Sequence, residues 1–208
     1  DTHAPRVMGV IDPIKLVIDN FPEDETFLCT IRNHPKDESM GTHQVPFRKE
    51  LWIEREDFMI DPPKKYFRLF VGNEVRLQSA FIVRCTSYEC DPEGRVSIVH
   101  AQYDPESQGG NAKDGRKIKG TIHWVPVKDA MECEIHHFNS LFLVENPDAD
   151  ERDDKDLLNP NSLERIKPAY VEPWVFEQAG KEIRYQFMRR GYYIEDRKST
   201  AQCRIFNE

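Results

Sequence analysis

Apolar and polar residues alternate with a period of two along most of this chain, which predicts half-buried strands rather than helices. Phe81, Val83 and Cys85 interleave with Ile82, Arg84 and Thr86, Asp91-Pro92-Glu93-Gly94 supplies a turn, and Val96 and Ile98 resume the pattern, so a β-hairpin is expected there. A second hairpin is expected from Tyr66–Val71 through Gly72-Asn73 to Glu74–Leu77. Lys117–Val125 reads as one strand, with Ile118, Ile122 and Trp124 on one face and Lys117, Lys119, Thr121 and His123 on the other. Further strands are expected at Val7–Ile11, Ile14–Ile18, Thr26–Ile31, Leu51–Ile53, Met131–His137 and Tyr192–Glu195. Helical signals are short, a turn or two at Glu54–Phe58 and at Val127–Met131. Strands spaced about ten residues apart and punctuated by Pro and Gly predict a mainly β chain of antiparallel barrels, two in number. Trp52 and Trp124 are assigned to their cores, as strand aromatics usually are.

Composition supports a folded chain and removes several function classes. In 208 residues, 38% hydrophobic and 11% aromatic side chains suffice for a packed interior, while 32% charged residues and 14 prolines imply much surface and many loops. There is neither an apolar run of about 20 residues nor a signal peptide, so a soluble, cytoplasmic protein is expected. Five cysteines without a C-x-x-C spacing read as reduced thiols. Cys133, His136 and His137 do not suggest a metal site, because neighbouring strand histidines point to opposite faces. No phosphate-cradling G-x-x-x-x-G-K-[ST] loop, G-x-G-x-x-G, G-x-S-x-G or H-E-x-x-H occurs, so no catalytic residue is expected. Gly109-Gly110 reads as a flexible loop tip.

A formal net charge of −8 argues against a nucleic-acid ligand only until it is resolved by segment. Glu145–Asp156 holds seven acids against Arg152 and Lys155, as a solvated surface excursion would. Lys181–Lys198 reverses the balance, with six bases against three acids, and Lys113–Lys119 carries a surplus of three. Basic patches on an acidic chain suit selective contact with one polyanion better than indiscriminate phosphate binding.

A set of ordered segments then carries a resemblance. Ala4-Pro5-Arg6-Val7-Met8-Gly9-Val10-Ile11-Asp12-Pro13-Ile14-Lys15-Leu16-Val17-Ile18, Asn33-His34-Pro35, Met40–Phe47, Glu50–Arg55, Lys117–Val125 and Gln186–Tyr193 resemble, in the same order, the region that follows the catalytic domain in glutaminyl-tRNA synthetases. The likeness runs from about Pro5 to Asn207. It implies a proximal β-barrel from residues 1–20 and 126–208 and a distal one from 21–125, similar to the ribosomal 5S-rRNA-binding barrel, gripping the anticodon loop of a glutamine tRNA. The start at Asp1-Thr2-His3 without Met is consistent with a domain excised from its enzyme.

Residue by residue, the resemblance implies that Arg6 and Gln186 contact the middle anticodon base, so the two chain ends are expected to meet. Arg68 resembles the arginine that reads the third base, with Lys65 nearby in place of a glutamine. Arg76 resembles a first-base contact and Arg189 a basic residue of the same surface. Phe67 and Gln78 stand where basic side chains are expected. Arg, Lys and Gln donors suit the edges of splayed, single-stranded bases. The implied partners are the glutamine tRNA anticodon stem-loop and the enzyme's own catalytic domain; the chain is expected to be monomeric and to bind no membrane. ATP with Mg would serve the catalytic domain, with no cofactor in this chain. A glutamyl-tRNA synthetase of the eukaryotic or archaeal type, a noncatalytic rRNA-binding barrel and a protein-interaction module are the alternatives.

Overall fold

The computed structural model describes residues 3–178 and 180–208. The strands are β1 (Arg6–Val7), β2 (Gly9–Val10), β3 (Pro13–Ile18), β4 (Phe27–Arg32), β5 (Thr42–Phe47), β6 (Glu50–Glu54), β7 (Glu74–Leu77) and β8 (Ile82–Cys90). They continue as β9 (Val96–Tyr103), β10 (Thr121–Ile122), β11 (Val125–Pro126), β12 (Met131–Phe138), β13 (Leu163–Val171), β14 (Arg184–Phe187), β15 (Gly191–Glu195) and β16 (Arg204–Asn207). They form two seven-stranded sheets, ordered β1-β14-β15-β16-β12-β13-β2 and β10-β7-β8-β9-β3-β6-β11, plus a β4-β5 ribbon. This is the mainly β, two-barrel architecture that the alternation predicts. The chain passes between the sheets at Ile11-Asp12 and again between β11 and β12.

Each sheet covers its own core. One contains Val7, Cys133, Ile135, Tyr185, Phe187 and Phe206. The other is larger, and Phe47 sits at its aromatic centre, 5.1–5.3 Å from the rings of Phe21, Phe81 and Trp124. Phe47 belongs to the β4-β5 ribbon, so this ring anchors the ribbon to the second sheet. Trp124 is fully buried, as expected. Trp52 is half-buried and stacks on Tyr170 of β13 at 5.0 Å and 8°, which joins the two sheets.

The Phe81–Ile98 hairpin forms as β8 and β9, with Gly94 at φ +80° closing the turn onto Asp91. Three local expectations fail. Tyr66–Val71 is not a strand: Leu69 makes one isolated bridge to Phe58, and β7 pairs instead with β8 across the Gln78-Ser79 turn. Arg68 pairs with buried Asp57, and the backbone of Leu69 bonds to Asp57 and Met59 instead of to β7. Lys117–Val125 splits, with β10 parallel to β7 and β11 antiparallel to β6, because this segment changes partners as it closes the second sheet on itself. His123, placed by alternation on the polar face, is therefore buried. Val127–Met131 is no helix; one bond from Ala130 N–H to Pro126 C=O makes a single turn before β12 begins.

Candidate nucleic-acid interface

The two ends of the chain meet as expected. β1 lies parallel to β14 with Arg6 opposite Gln186, and the Gln186 N–H donates to the Pro5 carbonyl at 2.9 Å. Arg6 Nε donates to Gln186 Oε1 at 2.9 Å. That bond engages the acceptor of the Gln186 amide, so the pair presents its remaining donors, the Gln186 NH₂ and the Arg6 terminal nitrogens, to a ligand.

Arg189 follows in the β14-β15 turn, at φ +67°. A non-glycine residue in the left-handed region is strained, and it is kept there by what its side chain grips. Its guanidinium forks onto the Asp57 carboxylate at 2.7 and 2.8 Å, with His123 Nδ1 3.4 Å away. Asp57, wholly buried in the turn after β6, also receives Arg68 Nε at 3.0 Å. One buried carboxylate from the second sheet thus orients two arginines, one from each side of the seam. Arg68 Nη1 further donates to the Thr121 carbonyl at 3.1 Å.

Two grooves open on this array. One, of about 530 Å³, is lined by Arg6, Arg32, Gln78, Ser79, Gln186 and Arg189. The other, of about 770 Å³, is lined by Lys65, Phe67, Arg68, Lys119, Thr121 and Arg189. Arg189 belongs to both and makes them neighbours. Lys65 sits on the rim of the second at φ +71°, and the ammonium of Lys119 lies 5.0 Å from the exposed Phe67 ring. The structure therefore gathers Arg6, Gln186, Arg189, Arg68 and Lys65 on one surface. Arg76 stands to the side, outside both linings, its Nε bonded to the Gly110 carbonyl and its Nη1 3.3 Å from Thr121 Oγ1.

Gly110 corrects a further expectation, since it is buried rather than a flexible tip. A Cβ there would come within 2.4 Å of Arg76 Cδ, and φ is +84°. Gly120 is equally constrained: a Cβ would meet the Phe67 carbonyl oxygen at 1.8 Å. Both glycines let backbone approach the site.

Two more buried carboxylates back the array, and composition gave no sign of them. Glu54, at the end of β6, accepts from the N–H groups of Ile11 and Asp12 at 3.0 Å and from Arg190 Nε at 2.8 Å, with His123 Nε2 at 3.4 Å. Burial raises its pKa, but bonds from His123 and Arg190 outweigh burial and hold it at about 2. Glu172, after β13, accepts from the Met8 N–H at 2.9 Å and pairs with His43 Nε2. Burial here wins, and the carboxyl is pushed up despite His43 and Met8. His43 stacks on Trp174 at 4.5 Å and hydrogen-bonds the Asn33 side chain, whose backbone carbonyl accepts the Arg6 N–H at 2.7 Å. His43 and Asn33 lie in segments that carried the sequence resemblance, but nothing in a linear pattern shows that they meet Glu172.

The description "tRNA synthetases class I (E and Q), anti-codon binding domain" fits two stretches, residues 4–104 and 121–196. A glutamine–tRNA ligase of Clostridioides difficile (strain 630) is 45% identical over 205 residues, covering 98% of this chain and 37% of that protein. A glutamine–tRNA ligase of Cupriavidus metallidurans is 46% identical over 209 residues, covering 100% and 36%, and one of Vibrio cholerae 44% over 206, covering 99% and 36%. The chain spans little more than a third of the length of these curated relatives.

Proposed function

Because this chain belongs to the anticodon-binding domain family of the class I tRNA synthetases for glutamate and glutamine, we propose that it reads the anticodon loop of a glutamine tRNA on behalf of a glutamine–tRNA ligase. The observation that carries the reading is the seam array: Arg189 and Arg68 share buried Asp57, and Arg6 is bonded to Gln186 beside them. It places fixed, directional donors on a surface with grooves on either side of Arg189. That geometry suits unstacked bases read by their edges, the usual route to sequence-specific RNA recognition.

In this reading the Arg6–Gln186 pair takes the middle base, Arg68 the third, with Lys65 and Phe67 beside it, and Arg76 the first. Arg189 stands between the middle and third bases. The free donors on Arg6 and Gln186 favour a base edge rich in carbonyl acceptors, as uracil offers at O2 and O4. The catalytic domain of the ligase, acting on ATP with Mg in the cytoplasm, would be this chain's partner within one monomeric enzyme. The chain has no phosphate-cradling motif, and among the described residues no group of His, Cys, Asp and Glu could hold a metal ion. Among the described residues, no helix is long and apolar enough to cross a membrane.

The test is a titration of the chain with a glutamine anticodon stem-loop and with one whose middle uracil is replaced by cytosine. Tighter binding of the first by about tenfold is expected, since a cytosine amino group meets donors with a donor. Equal binding of both loops would contradict base reading at this groove.

A further inference from the structure

We propose that Arg32, a residue to which neither the sequence pattern nor the relatives give a role, clamps a backbone phosphate of the RNA in the groove beside Arg6 and Gln186. The inference rests on the anticodon-binding reading and adds a contact to it. Arg32 is the last residue of β4, in register with Thr42 across the ribbon, and its side chain is exposed. With Arg6 and Arg189 it gives that groove three guanidinium groups, and its lining holds no carboxylate. On a chain of net charge −8, such a concentration of cations is a local feature that asks for an anion.

The three arginines differ in how far their charge is already met. Arg189 shares the single charge of Asp57 with Arg68. Arg6 is bonded only to a neutral amide, and among the described residues Arg32 has neither an ion pair nor a side-chain hydrogen bond. A base edge satisfies donors but brings no charge, so it leaves Arg32 uncompensated, whereas a phosphate supplies both. Arg32 also has a firm mount. Asn33, the next residue, is buried, donates through Nδ2 to the Met40 carbonyl at 2.8 Å, receives the Arg6 N–H at 2.7 Å, and donates its own N–H to the Gly41 carbonyl at 3.0 Å. The ribbon therefore carries Arg32 to a fixed point one residue away from the strand that carries Arg6. A long side chain launched from a fixed backbone reaches a phosphate at less entropic cost than one on a loose loop.

The experiment measures the affinity of the unaltered chain, Arg32→Gln and Arg32→Lys for the glutamine anticodon stem-loop and for the middle-base variant, across a series of salt concentrations. Arg32→Gln is expected to weaken both loops by the same factor, about tenfold at low salt, as loss of a charge-assisted bond does. The slope of log affinity against log salt should fall by about 0.7, the value for one phosphate of a single strand. Arg32→Lys should restore most of the slope. Unchanged affinity and slope in Arg32→Gln, with the unaltered chain binding normally, would overturn the phosphate clamp and leave the anticodon reading standing. A loss confined to one loop would overturn it too, by making Arg32 a base reader. Absence of binding by the unaltered chain takes both down.

Discussion

Glu54 and Glu172 are both fully buried at the junction of the two sheets, and both are paired with a histidine, but their carboxyl groups are shifted in opposite directions. The difference lies in the rest of each shell. Glu54 has a permanent cation, Arg190, and two backbone N–H donors beside its histidine, while Glu172 has one backbone N–H and His43, with no arginine or lysine paired to it among the described residues. A buried carboxylate stays ionised when donors and a fixed charge replace the water it loses, and otherwise drifts toward its neutral form. The two groups support different parts of the interface. Glu54 holds Arg190 and, with His123, the surroundings of Arg189; Glu172 holds the His43–Asn33 chain that ends at Arg6 and Arg32.

The largest break in this comparison is Glu54→Gln, which leaves the half-buried Arg190 only the exposed Glu56, at 3.4 Å, as its counter-ion; it should destabilise the fold by about 3 kcal/mol, read from urea midpoints. Acid should act through the same group. Its folded pKa lies below its ordinary value of 4.5, so its contribution is complete above about pH 4.5 and disappears as pH falls to about 2. The acid limb of the stability profile should flatten in Glu54→Gln, and a mutant as stable as the unaltered chain would contradict the charged-carboxylate account.

Glu172→Gln should be much milder, about 1–2 kcal/mol, because an amide resembles the protonated carboxyl and can still accept from Met8 and donate to His43. Here the sign is opposite. A raised carboxyl retains its proton in the folded chain beyond the unfolded value of 4.5, so its contribution weakens as pH rises above 4.5. The mutant should lose that slope above the ordinary carboxyl value of 4.5, and a loss as large as in Glu54→Gln would erase the distinction between the two sites.

The smallest effect is expected from Gly110→Ala, which touches only the Arg76 side of the surface. A methyl group at φ +84° and 2.4 Å from Arg76 Cδ should lower stability by about 1–2 kcal/mol and shift Arg76, without changing either carboxylate's pH behaviour. Thermal melts of the mutant at neutral and acid pH check both parts.

The same contrast explains what could be read from the sequence. Period-two alternation reveals strands that lie in one sheet with one face wet, and β3, β4, β8, β9, β12 and β15 were legible for that reason. It failed at Lys117–Val125 and Tyr66–Val71, where the chain changes partners or bonds its backbone to Asp57 and Met59 instead of to a ladder. The six candidate contacts were nameable only through resemblance to a family, because an arginine on an alternating strand is indistinguishable from a solvent-facing one. Asp57, Glu54 and Glu172 were invisible. Glu54 and Asp57 lie in a charged run and Glu172 is a lone acid after the apolar end of β13, and only the closure of the seam turns each into a buried partner of a basic side chain.

The central claim, that these arginines read base edges rather than hold backbone, is tested most directly at Arg68. The chain and its Arg68→Ala variant are titrated with the glutamine stem-loop and with one whose third-base guanine is replaced, at two salt concentrations. A base reader loses about 1–3 kcal/mol of discrimination, so Arg68→Ala should weaken the matched loop strongly and the altered loop little, with an unchanged salt slope. Equal weakening of both loops, together with a slope lower by about 0.7, would make Arg68 a phosphate contact and contradict the account.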